Sequence, residues 1–233
     1  QESWKILQYY WMNILEINFR KATEKDIKFI VKCIIAAEKN NSKIFSYNTI
    51  FGLEEKSAYK FISKMLLMKV DGCELSITSY IIATYKKKPI GAMGAWIEPI
   101  EGIPSKTIKG NLLFKVVPKE NLLKSRNILN LLNKLYIDYV KDSMCVGITY
   151  IDERYRGLGI LKMLLDNQAR KLFSNNGKKD VYVQVFSNNT QAIKAYEKLG
   201  FLTIKISETK NENILKYLPS NKKFLMKKMN SNE

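Results

Sequence analysis

Histidine is absent from this chain of 233 residues, and arginine is scarce, with five arginines beside 34 lysines. The lack of histidine excludes Ser-His-Asp and Cys-His catalysis, histidine-ligated zinc and histidine proton relays. Acid–base chemistry must therefore use carboxylates, tyrosine, lysine, cysteine, main-chain groups or water. We expect no metal cofactor.

Cysteine is also sparse. The three cysteines, Cys33, Cys73 and Cys145, lie far apart and form no CxxC pair. An odd and scattered set fits a reducing compartment better than a disulfide framework. Each is expected to be a small buried hydrophobic residue. We therefore predict a cytoplasmic protein.

Long apolar runs are missing as well, since no uninterrupted run reaches the ~20 residues that a membrane-spanning helix needs. We expect no membrane partner. The opening stretch Trp4–Trp11 is apolar and aromatic, but it carries polar breaks and no small-residue cleavage signal. Met12 could be the original start, which makes residues 1–11 an extension of uncertain origin. Residues 12–233 are then expected to form one domain.

Charge is abundant, with 39 basic and 22 acidic residues and a net charge of +17. Such a field favours anionic partners such as phosphates, nucleic acid or an anionic membrane surface. The lysines are spread through every segment, however, so a generally lysine-rich composition explains the charge equally well. No arginine-rich or aromatic-interleaved stripe marks a nucleic-acid surface, and we do not expect nucleic acid as a partner.

Hydrophobic periodicity predicts alternating strands and helices along the chain. In the first part it predicts a strand, two helices, a two-stranded hairpin, a loop and a long helix: Ile14–Lys21, Ile27–Ala37, Glu54–Met68, Ser76–Tyr85 with Ile90–Ile97, Glu98–Gly110 and Asn121–Val140. In the second part it predicts strand, helix, strand, helix and two strands: Met144–Asp152, Gly157–Asn176, Val181–Phe186, Asn189–Leu199, Phe201–Ser207 and Lys223–Met229. This order predicts an α/β (α+β) protein with a mixed sheet and helices packed against it.

The most informative stretch is Ile148–Leu165, where a strand is followed by a glycine turn and an amphipathic helix. Gly157 and Gly159 lack side chains, so an anion can approach the backbone, and the first turn of the helix offers free N–H groups. Arg154 and Arg156 add full positive charges that suit phosphate oxygens. By itself the short pattern also fits an ordinary strand-to-helix turn.

A second pattern begins about 30 residues later. Asn189 is a candidate N-cap and Gly200 a candidate residue just past the helix end. Asn189, Ala192 and Tyr196 fall on one helical face. Without further information Tyr196 would be interpreted as a core aromatic residue.

The two patterns together resemble the GNAT superfamily of N-acetyltransferases. Arg154-x-x-Gly157-x-Gly159 resembles its acetyl-CoA motif, and the segment from Asn189 through Tyr196 to Gly200-Phe201 resembles its second motif. The close likeness covers residues 144–201. It implies a mostly antiparallel central sheet flanked by helices. The family commonly joins the third and fourth strands by a tight hairpin, so residues 98–142 depart from its pattern and are expected to form a helical insertion between these strands.

The resemblance also implies roles for individual residues. The backbone of Thr149, Tyr150 and Ile151 would pair with the pantetheine arm of acetyl-CoA. Asn189 would bond the pantetheine or cofactor amides, and Ala192 would also bind the cofactor. Tyr196 would face the sulfur and act as general acid. The pyrophosphate would be held by the N–H groups of the turn, from Arg156, Gly157, Leu158, Gly159, Ile160 and Leu161. The guanidinium groups of Arg154 and Arg156 would add flanking positive charges.

Amine acetylation requires a neutral amine, because an alkylammonium with a pKa near ~10.4 cannot attack a thioester. A base must therefore accept a proton, directly or through water. The fourth predicted strand carries no carboxylate between residues 144 and 151. The candidates are Glu98, Asp142 and Asp152, each of which is equally typical of an exposed turn charge.

The leading interpretation is an N-acetyltransferase that transfers acetyl directly to a primary amine, of a small molecule or a peptide, in a ternary complex. The alternative is a catalytically weak or inactive CoA-binding regulatory module of the same fold. We expect Asn121–Val140 to form a helical wall over the acceptor side or a subunit contact, so a homodimer is an open alternative. The net charge of +17 disfavours polyamine acceptors unless a local acidic pocket overrides it.

Overall fold

A computed structural model describes residues 16–40, 42–174, 177 and 179–229. The N-terminal extension, and Ile14 and Leu15 of the first predicted strand, lie outside these residues. None of the described helices is both long and apolar enough to cross a bilayer.

Seven strands form one sheet in the order β1-β2-β3-β4-β5-β7-β6. The strands are β1 Ile17–Lys21, β2 Tyr80–Tyr85, β3 Lys88–Glu98, β4 Ser143–Ile151, β5 Val181–Phe186, β6 Phe201–Glu208 and β7 Lys222–Lys228. Every adjacent pair is antiparallel except β4 with β5, which is parallel. The predicted mixed, mostly antiparallel sheet is confirmed.

Helices cover both faces of the sheet, and each face has its own apolar cluster. The helices are α1 Ile27–Lys39, α2 Ser46–Phe51, α3 Glu55–Leu67, α4 Ser105–Val116, α5 Lys119–Leu132, α6 Ile160–Phe173 and α7 Thr190–Glu197. One cluster joins α1, α3 and α4 to the sheet, and the other joins α6 and α7 to the opposite face. Apolar burial therefore fixes the helices that flank the functional site on each face.

The insertion between β3 and β4 differs from its prediction. Part of the predicted loop Glu98–Gly110 is helical, because α4 begins at Ser105, directly after Pro104. The predicted helix Asn121–Val140 ends at Leu132 and is followed by one 3₁₀ turn and an extended stretch. The apolar periodicity continues past Leu132 only because later residues also pack inward. Proline presets the backbone angle for a helix start, and this signal precedes both α4 and α5.

The centre of the sheet contains a gap. The parallel pair β4 and β5 is joined at only three positions, the last being Val146 opposite Val183. On its other side β4 has a bulge, since Met93 pairs with Thr149 and Ala95 with Val146, leaving two residues of β4 opposite Gly94. Beyond Val146 the edge of β4 that faces β5 is therefore unpaired. We call this opening the strand gap.

Candidate functional site

A cavity of about 1000 Å³ opens at the strand gap. Its walls come from the unpaired end of β4, the turn after β4, the start of α6, the far end of β5 and the helix α7. The C-terminal end of α1 and the insertion close its other side. The chain thus brings both sequence patterns to one cavity.

The turn before α6 has the geometry of an anion site. Gly157 and Gly159 have φ values of +81° and +74°, which L side chains rarely adopt. A Cβ on either glycine would meet no atom within 4 Å, so the space beside this backbone is open. Because of these two residues α6 begins at Ile160 rather than at the predicted Gly157.

The two arginines of the turn have different surroundings. Arg156 lines the cavity, where Nη1 lies 3.3 Å from Gln191 Oε1. Its main-chain N–H already donates to Glu153 O, so only the side chain and the later N–H groups of the turn are available to an anion. Arg156 also lies 3.6 Å from the Glu153 carboxylate, and its Nε donates to Ile151 O at 3.2 Å. Arg154 is 79% exposed and pairs with Asp152, and neither Arg154 nor Leu158 lines the cavity.

The second pattern forms the opposite wall. Asn189 caps α7, since its Oδ1 accepts a hydrogen bond from Ala192 N at 3.1 Å. Both residues line the cavity, together with the lysines Lys194 and Lys198. Asn189 therefore has the predicted place at the helix start and faces the cavity.

Tyr196 crosses from α7 to β4. Its ring is 4% exposed and packs edge-to-face on Phe201, and its hydroxyl donates to Thr149 Oγ1 at 3.2 Å. Burial raises the pKa of Tyr196 to about 12, with the hydrogen bond to Thr149 opposing the rise. The phenol stays protonated and is available as a hydrogen-bond donor at the strand gap.

The cavity also extends into a part lined by Glu38, Glu74, Trp96, Lys109, Tyr139 and Lys223, which we call the inner chamber. Glu74 forms an ion pair with Lys109 of α4. Burial opposes the charge of Glu74, but the Lys109 ammonium outweighs burial and lowers the pKa of this carboxyl. Glu74 is therefore ionised at neutral pH.

Glu74 lies close to the unpaired end of β4. A Cβ on Gly147 would stand 3.3 Å from Glu74 Cβ and 2.7 Å from the Trp96 ring. The missing side chain at Gly147 lets both residues approach the bulge of β4. Tyr139 packs edge-to-face on Trp96 at 5.7 Å and completes this wall.

A sequence model described as the acetyltransferase (GNAT) family matches residues 133–201. This range contains β4, the glycine turn, α6, β5 and α7, and thus both walls of the strand gap. The match covers less than a third of the chain.

Individual relatives of this chain are distant. Spermine/spermidine N(1)-acetyltransferase of Bacillus subtilis (strain 168) is 38% identical over 52 residues, covering 22% of this chain. The match spans only 34% of the length of that relative. A crystal structure of an N-acetyltransferase from Staphylococcus aureus Mu50 has a TM-score of 0.62 at 16% identity, covering 90% of this chain and 99% of that one. An acetyltransferase crystal structure gives 0.59 at 15% identity, covering 91% and 98%. These two structures share the fold.

The three carboxylates predicted as bases lie outside the cavity. Glu98 is buried, and its two oxygens accept hydrogen bonds from Trp96 Nε1 and from Ser105 N, both at 3.0 Å. This carboxylate anchors the start of α4. Asp142 is exposed in the turn before β4. Hydrogen bonds from Arg154 lower the pKa of Asp152 to about 2.

Sequence reasoning missed the charged residues of the inner chamber. Glu38 lies near the C-terminal end of α1, Glu74 precedes β2, and Lys223 is in β7. They are far apart in the chain and belong to no local motif, so only the fold brings them together. The nearest sequence signal is the glycine at 147, which permits the approach of Glu74.

Only the last part of the predicted wall Asn121–Val140 lines the cavity, together with part of α4. Ser105, Lys106 and Lys109 of α4 line the cavity with Tyr136 and Tyr139. The helix α5, which covers most of the predicted wall, packs against α2 instead; Asn121 Nδ2 donates to Phe51 O at 2.8 Å. The insertion thus contributes to the cavity through α4 and the stretch after α5.

Proposed function

We propose that this protein is an acetyl-CoA-dependent N-acetyltransferase that transfers the acetyl group directly to a primary amine in a ternary complex. The observation that carries the proposal is the strand gap, which joins an anion-binding turn to a chamber holding an ionised carboxylate. One side of the gap suits a long phosphorylated cosubstrate. The other side suits an amine.

The cosubstrate side fits acetyl-CoA by shape and charge. The unpaired edge of β4 at Thr149–Ile151 offers main-chain groups that an extended pantetheine arm can pair with, as an added strand would. The open N–H groups of the turn from Gly157 to Leu161 and the Arg156 side chain suit the pyrophosphate. Lys194 and Lys198 lie on the same wall and suit a further phosphate.

The residues at the gap supply each step of acyl transfer. The amine nitrogen forms a bond with the acetyl carbon, and main-chain N–H groups at the β4 bulge stabilise the oxyanion. Glu74 accepts the proton that the attacking amine loses. As the C–S bond breaks, Tyr196 donates its proton to the leaving thiolate. No covalent acyl-enzyme is needed, because holding both substrates together supplies much of the rate.

Glu74 suits the role of base better than the carboxylates suggested by the sequence. It lines the cavity beside Gly147, whereas Glu98, Asp142 and Asp152 do not line it. A carboxylate in the chamber also weakens the alternative of an inactive CoA-binding module, whose main support was the lack of such a group.

A steady-state assay of CoA release over a panel of primary amines tests the proposal. We expect amine-dependent release in the wild type and a fall in kcat of about 100-fold in Glu74→Gln. The double variant Glu74→Gln/Lys109→Met removes both members of the ion pair and is expected to be equally slow. It controls for the effect of leaving Lys109 unpaired.

Glu38→Gln is the matched variant for the other chamber carboxylate and is expected to retain most of the rate. Unchanged kcat in Glu74→Gln would contradict the role of this residue. Tight acetyl-CoA binding with no release for any amine would favour the inactive module instead.

A further inference from the structure

The inner chamber contains a lysine without an acidic partner. Lys223 is partly buried near the start of β7, where it pairs with Phe186 of β5 and its Nζ lies 5.4 Å from that ring centroid. Among the described residues, no carboxylate forms an ion pair with Lys223. Its position thus combines a positive charge with partial removal from water.

The other charges of the chamber have partners of different kinds. Lys109 and Glu74 neutralise each other as an ion pair, and Glu38 accepts a hydrogen bond from the Ser46 hydroxyl. Two charges of the chamber therefore remain outside an ion pair among the described residues: the Glu38 carboxylate, which a neutral hydroxyl does not neutralise, and the Lys223 ammonium group. A buried charge without a partner costs free energy, which an anionic ligand would recover.

The surroundings of Lys223 also affect its ionisation. Burial and the nearby Lys109 ammonium lower the pKa of Lys223 to about 8, and Glu38 and Glu74 oppose this only in part. These are the charged groups that α1, the segment before β2 and α4 direct at Lys223. An anion bound next to Lys223 would favour its charged form.

Lys223 lies on the face of the sheet opposite the anion-binding turn. Its neighbour two residues on, Leu225, packs with Ile137 of the insertion, whereas Phe224 packs in the cluster of α6 and α7. Side chains alternate between faces along a strand, so Lys223 shares the insertion face with Leu225. The phosphates of acetyl-CoA would be bound at the turn before α6, on the other side of the strand gap.

We propose that the acceptor carries an anionic group, a carboxylate or a phosphate, in addition to its amine, and that Lys223 binds this group. The proposal rests on the acetyltransferase function proposed above and specifies its acceptor. The amine end lies toward Glu74 at the strand gap, and the anionic end lies toward β7. A polyamine lacks the anionic end, and its extra cations would face Lys223.

The test compares acceptors that differ by a single anionic group. The pairs are 4-aminobutyrate with n-butylamine, L-phenylalanine with phenethylamine, and O-phosphoethanolamine with ethanolamine, with spermidine as an added acceptor. CoA release is measured with the wild type, Lys223→Met and Lys223→Arg. The control is Lys222→Met, which removes the adjacent lysine of the same strand on the opposite face.

For at least one pair we expect the wild type to favour the anionic member by about 10-fold in kcat/KM, through a lower KM. Lys223→Met abolishes this preference, while Lys222→Met keeps it. In the wild type, KM for the anionic acceptor rises between pH 7 and pH 9 as Lys223 loses its proton. Lys223→Arg removes this rise because arginine stays charged.

Several results would overturn the proposal. One is a wild-type kcat/KM that is higher for the acceptors without the anionic group, or for spermidine. Another is a preference for the anionic acceptor that is unaltered in Lys223→Met. A third is weaker acetyl-CoA binding by Lys223→Met, measured by calorimetry. If no amine reacts, the proposed catalysis fails. The anion site at Lys223 is then tested separately, by calorimetric binding of the three anionic acceptors to the CoA-loaded protein. Binding that is lost in Lys223→Met supports the anion site, and no binding by any probe overturns it.

Discussion

Tyr196 is the residue for which chemistry and position agree most closely. Its buried hydroxyl is held by Thr149 at the strand gap, and its raised pKa of about 12 keeps it protonated. A group that stays neutral can donate a proton or a hydrogen bond throughout the usual assay range. It cannot produce a falling limb in a rate profile below about pH 10.

We predict that Tyr196→Phe lowers kcat by about 100-fold and leaves the affinity for acetyl-CoA unchanged, because only the proton donor is lost. Steady-state kinetics with calorimetry checks this. Tyr182→Phe, which removes a hydroxyl from β5 outside the cavity, is the matched control and keeps full activity. A Tyr196→Phe variant with normal kcat would exclude Tyr196 as the acid.

Sequence reasoning found the residues that belong to local motifs and missed those that do not. Gly157, Gly159 and Asn189 were predictable because a turn and a helix cap impose fixed spacings. Glu74 and Lys223 stand 149 positions apart, so no local pattern connects them. Asp142 and Asp152 were predicted as bases because they flank β4 in the sequence, and Glu98 because it ends the third strand. Each instead faces a neighbour or solvent.

At the scale of elements, the turn between β4 and α6 decides whether an anion can bind. Gly159 is the N-cap of α6, with φ of +74° and open space where a Cβ would project. A side chain there would occupy the approach to the first N–H groups of the helix. The effect of backbone strain on stability can be separated from the effect on anion binding by making the same substitution at a second glycine.

Gly200 offers that comparison, since its φ is +83°, its Cβ position is also open, and it does not line the cavity. We predict that Gly159→Ala and Gly200→Ala each lower the free energy of unfolding by about 1 kcal/mol. Only Gly159→Ala should weaken CoA binding, by about 10-fold or more, in calorimetric titrations. Equal CoA affinities in the two variants would contradict the anion site.

Strongly periodic elements were predicted well, and the insertion was not. β5 was predicted with its observed bounds, because a short run of β-branched and aromatic residues specifies it. The helix α4 was missed because it carries Gly110 and only a narrow apolar stripe, Ile108, Leu112 and Val116. Its position is specified mainly by contacts with α3 and by the Glu98 carboxylate at its start.

At the scale of the whole molecule, one sheet carries both sides of the site. The two faces of this sheet are covered by separate apolar clusters, and the strand gap connects them. We propose that residues 12–233 form one domain with 98–142 as its insertion. Cytoplasmic location and a homodimer stay predictions.

The net charge of +17 does not describe both parts of the cavity equally well. The part of the cavity formed by the glycine turn and α7 has Arg156 and several lysines, whereas the inner chamber has two carboxylates and two lysines. The global field thus suits an anionic cosubstrate, and local pairing determines what the chamber accepts.

A crystal structure of the protein with CoA bound would test the central claim most directly. The account predicts pyrophosphate oxygens within hydrogen-bond distance of the N–H groups of Gly159–Leu161, and a pantetheine arm along the unpaired edge of β4. It also predicts the sulfur near Tyr196. CoA bound away from the strand gap, or β4 and β5 closed against each other along their full length, would contradict it.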